Sequence, residues 1–147
     1  MTEGFTTAPG RGEAGPPKGP LVLLGRLLYV LIFLMAAPGD FKTQTIGYVA
    51  SQGVPLASIG VPLMGVISLV GGLSILLGYR AKIGAWLIVL FLVVVTPLMH
   101  RFWGVADPNT AQMQMINFLK NASMLGGALL ITQFGAGPLS FDARRSR

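Results

Sequence analysis

The chain has 147 residues, of which 52% are apolar and only 11% charged, against roughly 25% charged in an ordinary soluble domain. Its formal net charge is +6 and it has no cysteine, which excludes disulfides, thiol redox chemistry and thiolate-held metal clusters from its own side chains. These values predict one small integral membrane domain. The basic residues lie between and beyond the apolar runs, as membrane topology distributes them, so nucleic acid is not an expected partner.

Residues 1–20 are rich in Gly, Pro, Thr and Glu without apolar periodicity, and are expected to form a disordered cytoplasmic tail. A cleaved signal peptide fits poorly. Met35 is not small, Pro38 would follow the cut, and Arg26 interrupts the apolar run. Four runs approach the roughly 20 residues that a helix needs to cross a bilayer: Leu21–Ala37, Ile59–Leu77, Ile83–Met99 and Met115–Phe134. Lipid leaves backbone groups no partner outside their own segment, so helices are predicted even for Val93-Val94-Val95. The expected fold is an all-α four-helix transmembrane bundle over residues 21–137, followed by a basic cytoplasmic tail over 138–147.

The connections carry the remaining signals. Pro38 either ends or kinks the first helix. Between Pro38 and Ser58, Ile46, Val49 and Ala50 recur at helical spacing before Gly53-Val54-Pro55, which predicts a short interfacial helix. Gly78–Lys82 is short enough to make a hairpin of helices two and three. Asp107-Pro108-Asn109-Thr110 is a turn in which Asn109 or Thr110 can cap helix four. Lys and Arg gather on the side of both termini, with only Lys42, Arg101 and Lys120 on the other, so both termini are expected in the cytoplasm. Small-residue pairs at four-residue spacing, Ser68 with Gly72, Ala122 with Gly126 and Ser123 with Gly127, suit helix contacts or a homodimer face.

Candidate site residues cluster on helix four. Gln114, Asn117, Lys120 and Asn121 fall within an arc of about 120° at helical periodicity. A lysine inside hydrocarbon costs roughly 2.5–3.5 kcal/mol on insertion scales, so Lys120 either snorkels outward or meets an accepting partner. Asp40, Asp107, an acidic substrate, a quinone oxygen or a partner's carboxylate would each serve. Arg26 poses the same question on the inner side, where lipid headgroups are a sufficient answer. His100 and Lys42 lie on the outer side and complete the candidate ligand-binding set. No spacing suits a metal, and no haem, flavin, phosphate-loop or nucleophile motif is present. No catalytic residue is assigned.

Gly25-Arg26-Leu27, Gly39-Asp40-Phe41-Lys42, Gly53-Val54-Pro55, Gly71-Gly72, Leu77-Gly78, His100-Arg101-Phe102-Trp103 and Asn117-Phe118-Leu119-Lys120-Asn121 with Leu125-Gly126-Gly127 together resemble the DoxX family, over Leu21 to Asp142. The chain departs from that pattern at Ala36-Ala37-Pro38-Gly39. The resemblance implies a four-helix protein of the bacterial plasma membrane in a redox or oxidative-stress setting, with quinone or a small sulfur oxyanion as ligand. It also implies soluble redox or sulfur-transfer enzymes as partners at the cytoplasmic face. The alternatives are a non-catalytic scaffold anchoring soluble enzymes through Arg80, Lys82 and the basic tail, or a small transporter.

Overall fold

A computed structural model describes residues 19–145, all of whose regular elements are helical. Its elements are α1 (Gly19–Ala36), a 3-10 turn (Ala37–Phe41), α2 (Thr43–Ser51), α3 (Ala57–Leu77), α4 (Ala81–Met99), a second 3-10 turn (Phe102–Gly104), α5 (Pro108–Phe134) and α6 (Phe141–Arg145). The all-helical class therefore stands. Three stretches, Gly19–Phe41, Ala57–Leu77 and Ala81–Gly104, are long and apolar enough to cross a membrane. The expected disordered tail lies outside the described residues over 1–18, while Gly19 and Pro20 form the start of α1.

Each boundary has a local cause. α1 ends at Ala36, two residues before Pro38, so of the two expectations for this proline it is the helix end that holds. Pro38 sits in the first turn of the 3-10 segment, where its missing N–H is no loss. At the end of α3, Gly78 takes φ +64, its N–H reaches Ile75 O at 3.1 Å, and Tyr79 N reaches Ser74 O at 3.1 Å. The longest helix, α5, starts before the apolar run because Asp107, not Asn109 or Thr110, is its cap. The Asp107 carboxylate accepts from Thr110 N at 2.8 Å and from the Thr110 hydroxyl at 2.6 Å, with Pro108 following at the first helical position.

The core joins all four long helices: Val30 and Phe33 of α1, Ile75 of α3, Ala85, Ile88 and Leu92 of α4, and Ala128 of α5. Close approach is built on small residues, since between lipid-bathed helices tight packing replaces hydrophobic drive. A Cβ added at Gly71 would lie 2.9 Å from Gly84 O, so α3 and α4 touch backbone to backbone. Gly72 faces Leu34 of α1, Gly127 faces the Tyr29 ring, and Gly126 faces open space. Of the expected pairs, then, Gly72 and Gly127 make internal contacts. Tyr29 also donates to Met124 O at 2.7 Å, and Phe33 meets Phe91 edge-on at 6.1 Å. Leu28, Ile59, Val70, Leu90, Ile116 and Leu130 lie exposed on the outside of these helices, as residues facing lipid would.

Candidate functional site

The 3-10 turn after α1 carries Asp40 inward. Its side chain lies against Gly65 of α3, where an added Cβ would come within 2.8 Å of Asp40 Cβ and 3.4 Å of the Phe41 ring. Only glycine at 65 leaves that room. The Asp40 carboxylate is half-buried, and no hydrogen bond or ion pair reaches it from the described residues.

Asp40 lines a cavity of about 400 Å³ between α2, the first half of α3 and the last half of α4. Its walls are otherwise mostly apolar, with Val61, Met64, Phe91, Val95 and Leu98 among them, and His100 stands at the end of α4. That volume falls in the range of small-ligand pockets. His100 Nδ1 lies 2.9 Å from Gln114 Oε1. An amide oxygen only accepts, so Nδ1 is the donor of this pair. The chemistry on offer is the Asp40 carboxyl group, the His100 imidazole and the hydroxyl-bearing Thr45 and Tyr48 in an otherwise mostly apolar enclosure. It suits a ligand with an apolar body and a cationic or hydrogen-bond-donating tip.

The six residues singled out in the sequence do not form one pocket. His100 and Gln114 come together at the cavity's edge. Lys120 is exposed and leans one turn toward the helix N-terminus, donating to Asn117 Oδ1 at 3.1 Å, and it pairs with neither Asp40 nor Asp107. Asn121 is 8% exposed inside the bundle. Lys42 is exposed at the start of α2. Asp40 was legible as a carboxylate on this side but not as a cavity wall; its one local signal was a turn that opens with proline.

Arg26 also departs from expectation. It is 4% exposed, enclosed by the protein's own segments. Its Nη2 donates to Leu139 O at 2.7 Å, while Nε and Nη1 are buried without a partner among the described residues. No cluster of three or more His, Cys, Asp or Glu side chains that could hold a metal occurs among the described residues.

Comparison with known proteins overturns the family suggested by the short motifs. The sequence matches the SURF4 family over residues 1–147, and not DoxX. It is 28% identical to the inner membrane protein YphA of Escherichia coli over 90% of this chain and 95% of that one. With the Escherichia coli inner membrane protein YqjF it shares 30% identity over 82% of this chain and 88% of that one. It is 26% identical to the ER-derived vesicles protein ERV29 of Saccharomyces cerevisiae over 87% of this chain, which spans only 34% of that protein. No solved structure matches. The redox setting, the quinone or sulfur-oxyanion ligand and the redox or sulfur-transfer partners rested on the DoxX resemblance and are withdrawn with it. Glycine pairs, a Phe-Leu-Lys-Asn run and aromatic ends answer demands that any small helical membrane protein meets, so they do not separate one such family from another. With apolar helices joined by close glycine contacts and a match that runs from the first residue to the last, the chain is a membrane protein and belongs to the SURF4 family.

Proposed function

We propose that this chain is a non-catalytic membrane protein that captures a ligand or client by a tip inserted into the Asp40 cavity. The observation that carries the reading is the half-buried Asp40 carboxylate, without a partner among the described residues, in a mostly apolar cavity of about 400 Å³. A lone carboxylate in apolar surroundings is costly until a cation or strong donor meets it, so the site favours an occupant carrying one. A yeast relative named for ER-derived vesicles fits a protein that gathers other molecules rather than transforming them. The proposed setting is the inner membrane of a bacterium, which the two Escherichia coli relatives support. There, α5 would be the fourth crossing, both termini would be cytoplasmic by the positive-inside bias, and the cavity would open on the outer side.

The test uses decylamine, decanol and decanoate as probes, each titrated against protein in nanodiscs carrying a fluorescent alkylammonium reporter. Decylamine should displace the reporter about tenfold better than decanol, with decanoate weakest, and Asp40→Asn should erase the ranking. Equal displacement by all three, or an unchanged ranking in Asp40→Asn, would refute the reading.

A further inference from the structure

The opposite end of the bundle holds a second cavity, of about 530 Å³, walled by Arg80 of the α3–α4 turn, by Lys82 and Ile83 in the first turn of α4, and by residues between Phe134 and Ala143. Its lining sets two cations, Arg80 and Lys82, against one carboxylate. Its carboxylate, Asp142, is already engaged, accepting from Arg80 N at 2.8 Å and from Ala81 N at 2.9 Å. Arg80 and Arg145 stand 5.9 and 5.8 Å from the Tyr79 ring, and no ion pair neutralises either of them or Lys82 among the described residues. The Lys82 stem crosses toward α5, its Cε 3.6 Å from where a Cβ would sit on Gly135.

Behind this cavity lies the buried Arg26. A Cβ on Gly78 would collide with Arg26 Nη1, Ser140 Cβ and Ala136 Cβ together, so the guanidinium stands directly behind two residues of the cavity wall. Two of its N–H-bearing nitrogens are buried and have no partner among the described residues. A charge so enclosed is poorly screened, and its field extends to the cavity that Ser140 and Ala136 line.

We propose that this cavity binds the phosphate of an anionic phospholipid, held by Arg80 and Lys82 with Arg26 adding to the field from behind. The phosphate group is the chemistry the cations select. The apolar flank commits the site to a lipid rather than to free phosphate: Ile83 is 57% and Phe134 80% exposed beside it, a wall for an acyl chain. Tyr79 and Trp86, 46% and 54% exposed, mark the same end as the interfacial belt where headgroups lie.

The experiment mixes the full chain, in neutral detergent, with equal amounts of phosphatidylglycerol and phosphatidylcholine of matched acyl chains, and reads the bound lipid by native mass spectrometry. Wild type should retain phosphatidylglycerol about tenfold over phosphatidylcholine, and Arg80→Gln with Lys82→Gln should bring the ratio near parity. Lys42→Gln with Arg101→Gln, which removes two cations from the other end, should leave the preference in place. If the double variant melts earlier than wild type, Lys82→Gln alone carries the test, with about a threefold loss of preference. A preference that survives loss of Arg80 and Lys82 charge, or falls as far in the Lys42 and Arg101 variant, would overturn the site. Complete release of phosphatidylglycerol by millimolar inorganic phosphate would reassign it to a small anion.

Discussion

Gly84→Ala is the sharpest probe of the packing that holds the two cavities apart. A Cβ at 84 would lie 2.5 Å from both Ser74 Cβ and Ser74 Oγ and 2.9 Å from Gly71 O, where ordinary contact begins at 3.4 Å. Neither obstacle can rotate away freely. Gly71 O is backbone, and Ser74 Oγ is committed to Tyr79 O at 2.6 Å. Parting the helices by about half an ångström loses dispersion along their seam, and overpacking of this kind costs about 1–3 kcal/mol. Displacing the serine hydroxyl adds about 1 kcal/mol, and alanine's better helix propensity returns up to about 1 kcal/mol. The expected net destabilisation is about 2 kcal/mol, read as a lowered midpoint in detergent or denaturant unfolding. Gly126→Ala, with nothing within 4 Å of its new Cβ, is the control and should be neutral or slightly stabilising. Adding Ser74→Gly to Gly84→Ala should recover part of the loss, leaving the share due to Gly71 O. A neutral Gly84→Ala, or one no worse than Gly126→Ala, would refute a backbone contact at this crossing.

Asp142→Ala should remove both acceptors from the start of α4 and free the segment after α5. We expect a loss of about 1–3 kcal/mol and faster proteolysis between Phe134 and Arg145, with the rest of the chain protected. Asp107 should show its role through pH. Its hydrogen bonds from the Thr110 hydroxyl and backbone hold its carboxyl below the ordinary value. The cap's contribution is therefore full above the unfolded carboxylate range near 4 and is lost as pH falls through the lowered folded value. Thr110 amide exchange should speed up over that acid window in wild type, after correction for intrinsic rates, and show no such transition in Asp107→Ala.

The first three long helices could be read from apolar run length alone, because lipid imposes that pattern on any sequence that crosses it. The start of α5 was harder. Gln112 and Gln114 interrupt the apolar run, so hydropathy gave Met115 as the start, whereas the true boundary follows the hydrogen bonds of Asp107. Gly71 and Gly84 could not be paired by spacing, since their contact is set by how α3 and α4 cross and not by either helix alone. The site was legible only in pieces. Helical periodicity placed Lys120 with its amides, and the structure joins Lys120 to Asn117, yet the cavity gathers residues from four segments that share no sequence pattern. Asp40 could be seen only as a partner for Lys120, and burial of Arg26 depends on a chain segment more than a hundred residues away.

That last separation bears on how the molecule is made. The bond from Arg26 to Leu139 O spans 113 positions and joins the first helix to a segment near the end of the chain. During synthesis α1 enters the membrane with its guanidinium lacking this partner, and the α3–α4 hairpin, tied by a short turn, can assemble long before it appears. This contact can therefore form only after the segment that follows α5 has left the ribosome, where it meets both Arg26 and the α4 start. A chain cut short before Leu139 would lack the acceptor for Arg26 Nη2 and leave that buried guanidinium without its one bond among the described residues.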